Sequence, residues 1–216
     1  MIDFHIHSVF SDGELIPAEI IRRAEAIGYR ALAITDHADH SNIDFIIPRL
    51  VKVLKEIQPY TPLVLIPGIE ITHVPPASIP ELAKEARTLG AKIVVVHGET
   101  LVEPVKEGTN KAALQSDIDI LAHPGLISEE EVKEASNRGI SLEITARKGH
   151  SLSNGHVARL AQKYSAKLVI NTDAHSPGDL ISKDFACRIL KGAGLSDTDI
   201  QEIFRNMEDI VRRKTA

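Results

Sequence analysis

Apolar, β-branched runs alternate with helical patterns along the whole chain. The runs at 1–6, 31–36, 63–69, 91–97, 118–122, 140–145 and 167–172 are short and rich in Ile, Val and Leu, and they predict seven strands. Between them, apolar residues recur at helical spacing. Ile20, Ile21, Ala24 and Ile27 make one buried stripe, opened by Pro17 and closed by Gly28. Ser78 with Glu81 and Ser128 with Glu131 read as capping boxes, and Gly90 and Gly139 as the matching stops. Further helices fit 43–57, 110–116 and 152–165. Two more, about 178–192 and 197–213, finish the chain, with Ser196 as a cap between them.

Alternating β and α segments imply parallel strands joined by right-handed crossovers. An open doubly wound sheet gathers its functional residues from two or three loops at a switch point. A barrel collects them from many strand ends onto one face. Here every predicted strand ends in a polar residue able to ligate a metal, and only closure brings seven ends around one point. The pattern therefore predicts a distorted (βα)7 TIM-like barrel. It is expected as one domain over 1–216, since no linker or low-complexity stretch interrupts the alternation. The aromatic content is 4% with no Trp, which leaves Ile, Leu, Val and Ala to build the core of a covered parallel sheet.

The strand ends carry the chemistry. His5 and His7 are two apart, so on a strand they share a face and can grip one ion. Ser11-Asp12-Gly13 is a tight turn that can fold Asp12 back toward them; an ordinary turn acid is the competing reading. The second strand ends in Asp36-His37, a pair in which one residue can ligate and the other orient. The third ends Pro67-Gly68-Ile69-Glu70. The Pro-Gly suggests a bend that aims Glu70 inward, where its two carboxylate oxygens could bridge two cations. The fourth and fifth place His97 before Gly98 and His123 before Pro124-Gly125. The last delivers Asp173 and His175. Past the sixth, Arg147 and Lys148 form a basic pair. An Arg fork fits phosphate oxygens and Lys adds a point charge, although a solvated pair explains them equally well. His40 and His73 read as loop surface and Glu99 as a rim residue.

This set is all imidazole and carboxylate, with too many members for one tetrahedral ion. Two or three divalent ions, Zn, Mn or Fe, are expected, a composition suited to metal-assisted hydrolysis. The net charge of −5 disfavours a broad nucleic-acid footprint. The single Cys187 sits in an apolar helical pattern and forms no intramolecular disulfide. No apolar run reaches the roughly 18–20 residues of a membrane helix, and no leader precedes the first strand, so a cytoplasmic protein without membrane partners is expected.

The order His-x-His, Ser-Asp-Gly, Thr-Asp-His, Gly-Ile-Glu, His, His-Pro-Gly and Asp-x-His resembles the PHP (polymerase and histidinol phosphatase) superfamily over about residues 2–178. The resemblance implies a trinuclear centre. His5, His7, Glu70 and Asp173 would hold the first ion. Glu70 would bridge to a second, completed by His97 and His123, and Asp12, His37 and His175 would hold a third. It places Arg147, Lys148 and Asn154 nearest the substrate phosphate, and Glu70, Asp12 and Asp173 in the catalytic machinery. A hydroxide bridging the first two ions would attack phosphorus; His40, His150 and Asp12 are the candidates for the leaving-group acid. The implied activity is that of a metal-dependent phosphomonoesterase on a small phosphorylated substrate, histidinol phosphate among the candidates. A phosphodiesterase or nuclease is the alternative. An amidohydrolase-type barrel is disfavoured because no predicted strand ends in the Lys such sites carry. A non-catalytic RNA-processing subunit would leave gaps among nine ligand positions that this chain fills.

Overall fold

The computed structural model describes residues 1–215. Its strands are β1 (Ile2–Asp3), β2 (Ala31–Ile34), β3 (His37–Ala38), β4 (Val64–Ile71), β5 (Ile93–His97), β6 (Ile120–Ala122), β7 (Ser141–Thr145) and β8 (Leu168–Asn171). All pairings are parallel, in the order β1-β2-β4-β5-β6-β7-β8, with the short β3 prolonging β2 along β4. The two ends of this row meet. Ile6 bridges Ala174 in parallel register, and the His7 N–H donates to the Ala174 carbonyl at 2.9 Å. The result is a nearly closed (βα)7 barrel, as the alternation predicted. The last turn of closure is made by the segments that carry His5, His7, Asp173 and His175.

The helices are α1 (Pro17–Ala26), α2 (Ile43–Ile57), α3 (Ile79–Leu89), α4 (Thr109–Leu114), α5 (Glu129–Arg138), α6 (Asn154–Tyr164), α7 (Lys183–Gly192) and α8 (Asp197–Thr215). They lay apolar stripes on the outside of the sheet. Ile46, Ile47 and Leu50 of α2 and Leu82, Ala83 and Ala86 of α3 are fully buried. Among the described residues, no helix is long and apolar enough to cross a membrane.

Some local expectations are corrected. α1 stops at Ala26, so Ile27 leaves the stripe and is exposed. Ser128 and Glu131 form the expected capping box, but Ser78 makes no cap bond, because a 3₁₀ turn at Pro76–Ser78 leads straight into α3 and puts Ser78 in helical geometry. Pro67-Gly68 does not end β4. The strand runs on to Ile71, paired on both sides. Gly68 is required for another reason: a Cβ there would stand 2.6 Å from the Thr35 methyl and 3.0 Å from the Ile93 carbonyl. β4 thus lies close to its neighbours, and strand alternation alone turns Glu70 inward.

Candidate metal centre

The carboxyl ends of the strands converge on a buried polar cluster. His5, Glu70 and Glu143 are fully buried, and His7, His123 and Asp173 nearly so. Register explains part of this placement: β3 on β4 sets His37 directly beside Glu70.

Three groupings emerge from the distances. His5 Nε2 lies 3.2 Å from Glu70 Oε1 and 3.7 Å from Asp173 Oδ1, and His7 Nε2 lies 3.2 Å from Asp173 Oδ1 and 3.8 Å from Glu70 Oε2. Ligand atoms about 2.1 Å from a tetrahedral ion stand roughly 3.4 Å apart, and the trios His5–His7–Glu70 and His5–His123–Asp173 are each close enough to share a cation. Asp12 Oδ1 lies 3.3 Å from His175 Nε2, 3.6 Å from His37 Nε2 and 4.0 Å from His7 Nδ1. The Ser11-Asp12-Gly13 turn does fold back. Asp36 pins it by accepting from the backbone N–H and the hydroxyl of both Ser8 and Ser11. Asp36 therefore orients, while its neighbour His37 faces the cluster. The third grouping is His97, His123 and His150. Here His97 Nε2 turns to Glu103, at 3.0 Å, while Glu70 approaches His123 Nε2 at 3.7 Å.

Hydrogen bonding fixes which ring nitrogen is free. His5 Nδ1 lies 2.8 Å from Glu143 Oε1, His175 Nδ1 2.9 Å from the Asp173 carbonyl and His97 Nδ1 3.2 Å from the Gly98 carbonyl. These oxygens only accept, so each Nδ1 donates, and a neutral ring presents an Nε2 lone pair. In all three cases that lone pair faces a carboxylate oxygen: Glu70, Asp12 or Glu103. Lone pair against lone pair at 3.0–3.3 Å is repulsive unless positive charge sits between. His5 Nε2, both nitrogens of His7, His123 Nδ1 and Glu70 Oε1 are also buried with no hydrogen-bond partner among the described residues. Such groups cost on the order of 1–3 kcal/mol each when unmet. A divalent cation satisfies several at once, so the residues present fit a metal centre.

Considering the side chains alone, the electrostatics tell the same story. Burial opposes charge on His5, but Glu70, Glu143 and Asp173 outweigh it and hold its pKa well above the usual imidazole value. Burial would raise Glu70, yet His5 and His37 hold it well below the usual carboxylate range. Burial pushes Asp173 up to about 7, only partly opposed by His5. His7 and His123 are driven well below the ordinary value by burial and by neighbouring imidazoles. Both are therefore neutral and ready to ligate.

The sequence matches the PHP domain over residues 3–212. The chain belongs to the PHP domain family. It is 51% identical over 201 residues to an uncharacterised protein of Methanocaldococcus jannaschii, with 92% of each chain covered. It is 26% identical over 216 residues to ribonuclease P protein component 3 of Methanosarcina barkeri, covering 93% of this chain and 83% of that one. Among solved structures, histidinol phosphate phosphatase of Lactococcus lactis, complexed with zinc, L-histidinol and phosphate, matches with a TM-score of 0.62. That match covers 90% of this chain and 94% of that one at 15% identity, a likeness of fold.

The structure gathers all nine residues expected as ligands of this PHP barrel: His5, His7, Asp12, His37, Glu70, His97, His123, Asp173 and His175. The expected phosphate group is less uniform. Arg147 reaches the mouth, its guanidinium 3.5 Å from both Asp179 Oδ2 and the Asp173 carbonyl. Lys148 is exposed beside it. Asn154 departs from expectation. Its amide spans the Thr145 backbone, accepting from the N–H at 3.1 Å and donating to the carbonyl at 2.8 Å, so it braces the end of β7 rather than facing a phosphate. His40 is exposed on its loop.

Glu143 was not singled out from the sequence. Besides holding His5, it accepts from Asn171 Nδ2 at 2.8 Å and from the His123 backbone N–H at 3.0 Å, and so positions two ligands. The available signal was an acid between Leu142 and Ile144 in the middle of a buried parallel strand, where a charge is tolerated only with dedicated partners. Glu143→Gln is expected to lower metal affinity or turnover by about 10–100-fold while the far-ultraviolet circular dichroism stays unchanged. Metal titration of the variant at wild-type affinity would remove this positioning role.

Proposed function

We propose that the chain is a metal-dependent phosphomonoesterase acting on a small phosphorylated substrate. The observation that carries this reading is the set of three histidines, His5, His97 and His175, each locked through Nδ1 with Nε2 aimed at a carboxylate. In a family of phosphoesterase-like barrels, that arrangement supports up to three divalent ions. His5, His7, Glu70 and Asp173 would hold one, His97 and His123 with Glu70 a second, and Asp12, His37 and His175 a third. Bound divalent ions of this kind supply water activated at neutral pH and neutralise phosphoryl oxygens.

The chain's own residues do the rest. Glu143 keeps the His5 ring from rotating, so its lone pair stays directed into the cluster. His37 Nδ1 lies 2.6 Å from Glu70 Oε2 and 2.8 Å from Thr72 Oγ1, which fixes one oxygen of the central carboxylate. The half-exposed Asp12 and the part-buried His175 mark the side on which the cluster opens to solvent. Arg147 stands on the rim near Asp173, where its fork can take phosphate oxygens and orient the ester over the cluster. The histidinol and phosphate in the Lactococcus enzyme make histidinol phosphate one candidate substrate within the phosphomonoester class.

The test compares 4-nitrophenyl phosphate with bis(4-nitrophenyl) phosphate at matched metal concentration. Monoester turnover is expected to dominate. Clear dominance of the diester would replace this reading with a phosphodiesterase on the same centre. The ribonuclease P relative supplies the other alternative, a non-catalytic subunit; purified protein binding fewer than two transition-metal ions per chain would favour it.

A further inference from the structure

We propose that His150 and Glu103, two residues outside the nine expected ligands, complete one cation position together with His97 and His123. The proposal rests on reading the cluster as a metal centre, and it assigns two further residues to the imidazole-rich position within it.

His150 and His123 are stacked with ring centroids 4.2 Å apart, and His97 meets His123 edge-on at 4.4 Å. The three offer ring nitrogens close enough to share one ion. Glu103 closes the group from above. Its Oε2 lies 3.0 Å from His97 Nε2, and its Oε1 lies 3.3 Å from His150 Nε2. One carboxylate therefore spans two imidazoles, with a different oxygen on each. His97 Nδ1 is committed to the Gly98 carbonyl, so its lone pair points at Glu103, and the close approach calls for a positive charge between them.

The backbone around Glu103 is built to hold it there. Glu99 accepts from the N–H groups of Gly108 and Asn110, and Asn110 donates to the Pro124 carbonyl, so the 98–108 loop is tied at its base. Two glycines let it sit close. A Cβ on Gly98 would come within 2.3 Å of the Ala122 carbonyl, and one on Gly125 within 1.9 Å of the Glu99 carbonyl. His150 is buried and tethered through Nδ1 to Thr100 of the same loop at 2.6 Å. His73 approaches Glu103 Oε2 at 3.1 Å from the outer side and steadies the carboxylate.

Three imidazoles and the Glu103 carboxylate, with Glu70 facing His123 Nε2 at 3.7 Å from the neighbouring position, make an imidazole-rich set that suits zinc or cobalt over manganese. This position should retain its ion longest. The more open Asp12–His37–His175 position, whose Asp12 is half exposed, should exchange first.

The test loads wild type, Glu103→Gln, His150→Gln and the exposed-loop control His40→Gln with Co2+. It records the visible absorption of the bound ion and the ions retained per chain during competition with a chromophoric chelator. Wild type and the control are expected to keep one tightly held ion with the visible bands of an imidazole-bound cobalt ion. His150→Gln and Glu103→Gln should each lose that band and release the tight ion at least about 100-fold more readily, while still binding the remaining ions and melting cooperatively. Variants that keep the tight ion and its spectrum would overturn the assignment and leave the phosphoesterase reading standing, with Glu103 reduced to an ion-pair partner of protonated imidazoles. A wild type that binds no ion would overturn both.

Discussion

Glu70→Gln is expected to lower kcat/KM for phosphomonoester hydrolysis by about 10³-fold or more, roughly 4 kcal/mol of barrier, with loss of at least one bound ion. Glu70 reaches imidazoles in every part of the cluster, as Asp173 does. Oε1 lies 3.2 Å from His5 Nε2 and 3.7 Å from His123 Nε2, while Oε2 lies 2.6 Å from His37 Nδ1 and 3.8 Å from His7 Nε2. The amide matches it in shape, so β4 should pair as before and the barrel should fold. What changes is charge and donor type. An NH₂ replaces one oxygen, and the negative charge that offsets several surrounding imidazoles disappears. Metal content by elemental analysis and steady-state kinetics on the same sample give the answer. Full activity with full metal content would show that Glu70 is not the bridge between positions.

Much of this was legible in the sequence because barrel closure and strand alternation act through spacing. Two residues apart on a strand put His5 and His7 on one face, and the seven apolar runs set the strand order that brings Asp173 and His175 back beside them. The turn at Asp12 was readable because Ser-Asp-Gly has a strong local preference. Other features depended on tertiary contacts that leave no periodic trace. Glu143 sits in a strand interior, and its role follows from a ring nitrogen 138 residues away in sequence. Glu103 and His150 lie on loops whose course is set by Glu99, Asn110 and Thr100, so their meeting over His97 could not be read from either segment alone. Asn154 failed for a related reason. Its amide is spent on the Thr145 backbone, a demand that only the folded end of β7 creates.

Removing the ions with a chelator is expected to lower the melting temperature by about 8–16 °C, taking about 4.1 kcal/mol for ligand at 1,000 times its Kd and about 2–4 °C per kcal/mol for a domain of this size. The physical source is the crowding of unmet groups: buried Nε2 lone pairs, the unpartnered Glu70 Oε1 and opposed carboxylates at Glu70, Glu143 and Asp173. The size of the shift should depend on pH in a defined direction. His5, His37 and His97 have pKa values raised in the folded protein by facing carboxylates, which outweigh their burial. Without ions, that pairing adds stability that is fully present below the unfolded value of about 6.5 and is lost as pH rises through the folded values. With ions, the same nitrogens must give up their protons to ligate, so metal stabilisation grows over the same range. The two trends oppose each other. The gap between the loaded and chelated melting temperatures should therefore widen steadily from about pH 6 to pH 8. Calorimetry in paired buffers measures it, and a gap that narrows with rising pH would show that these imidazoles are not the groups displaced by the ions.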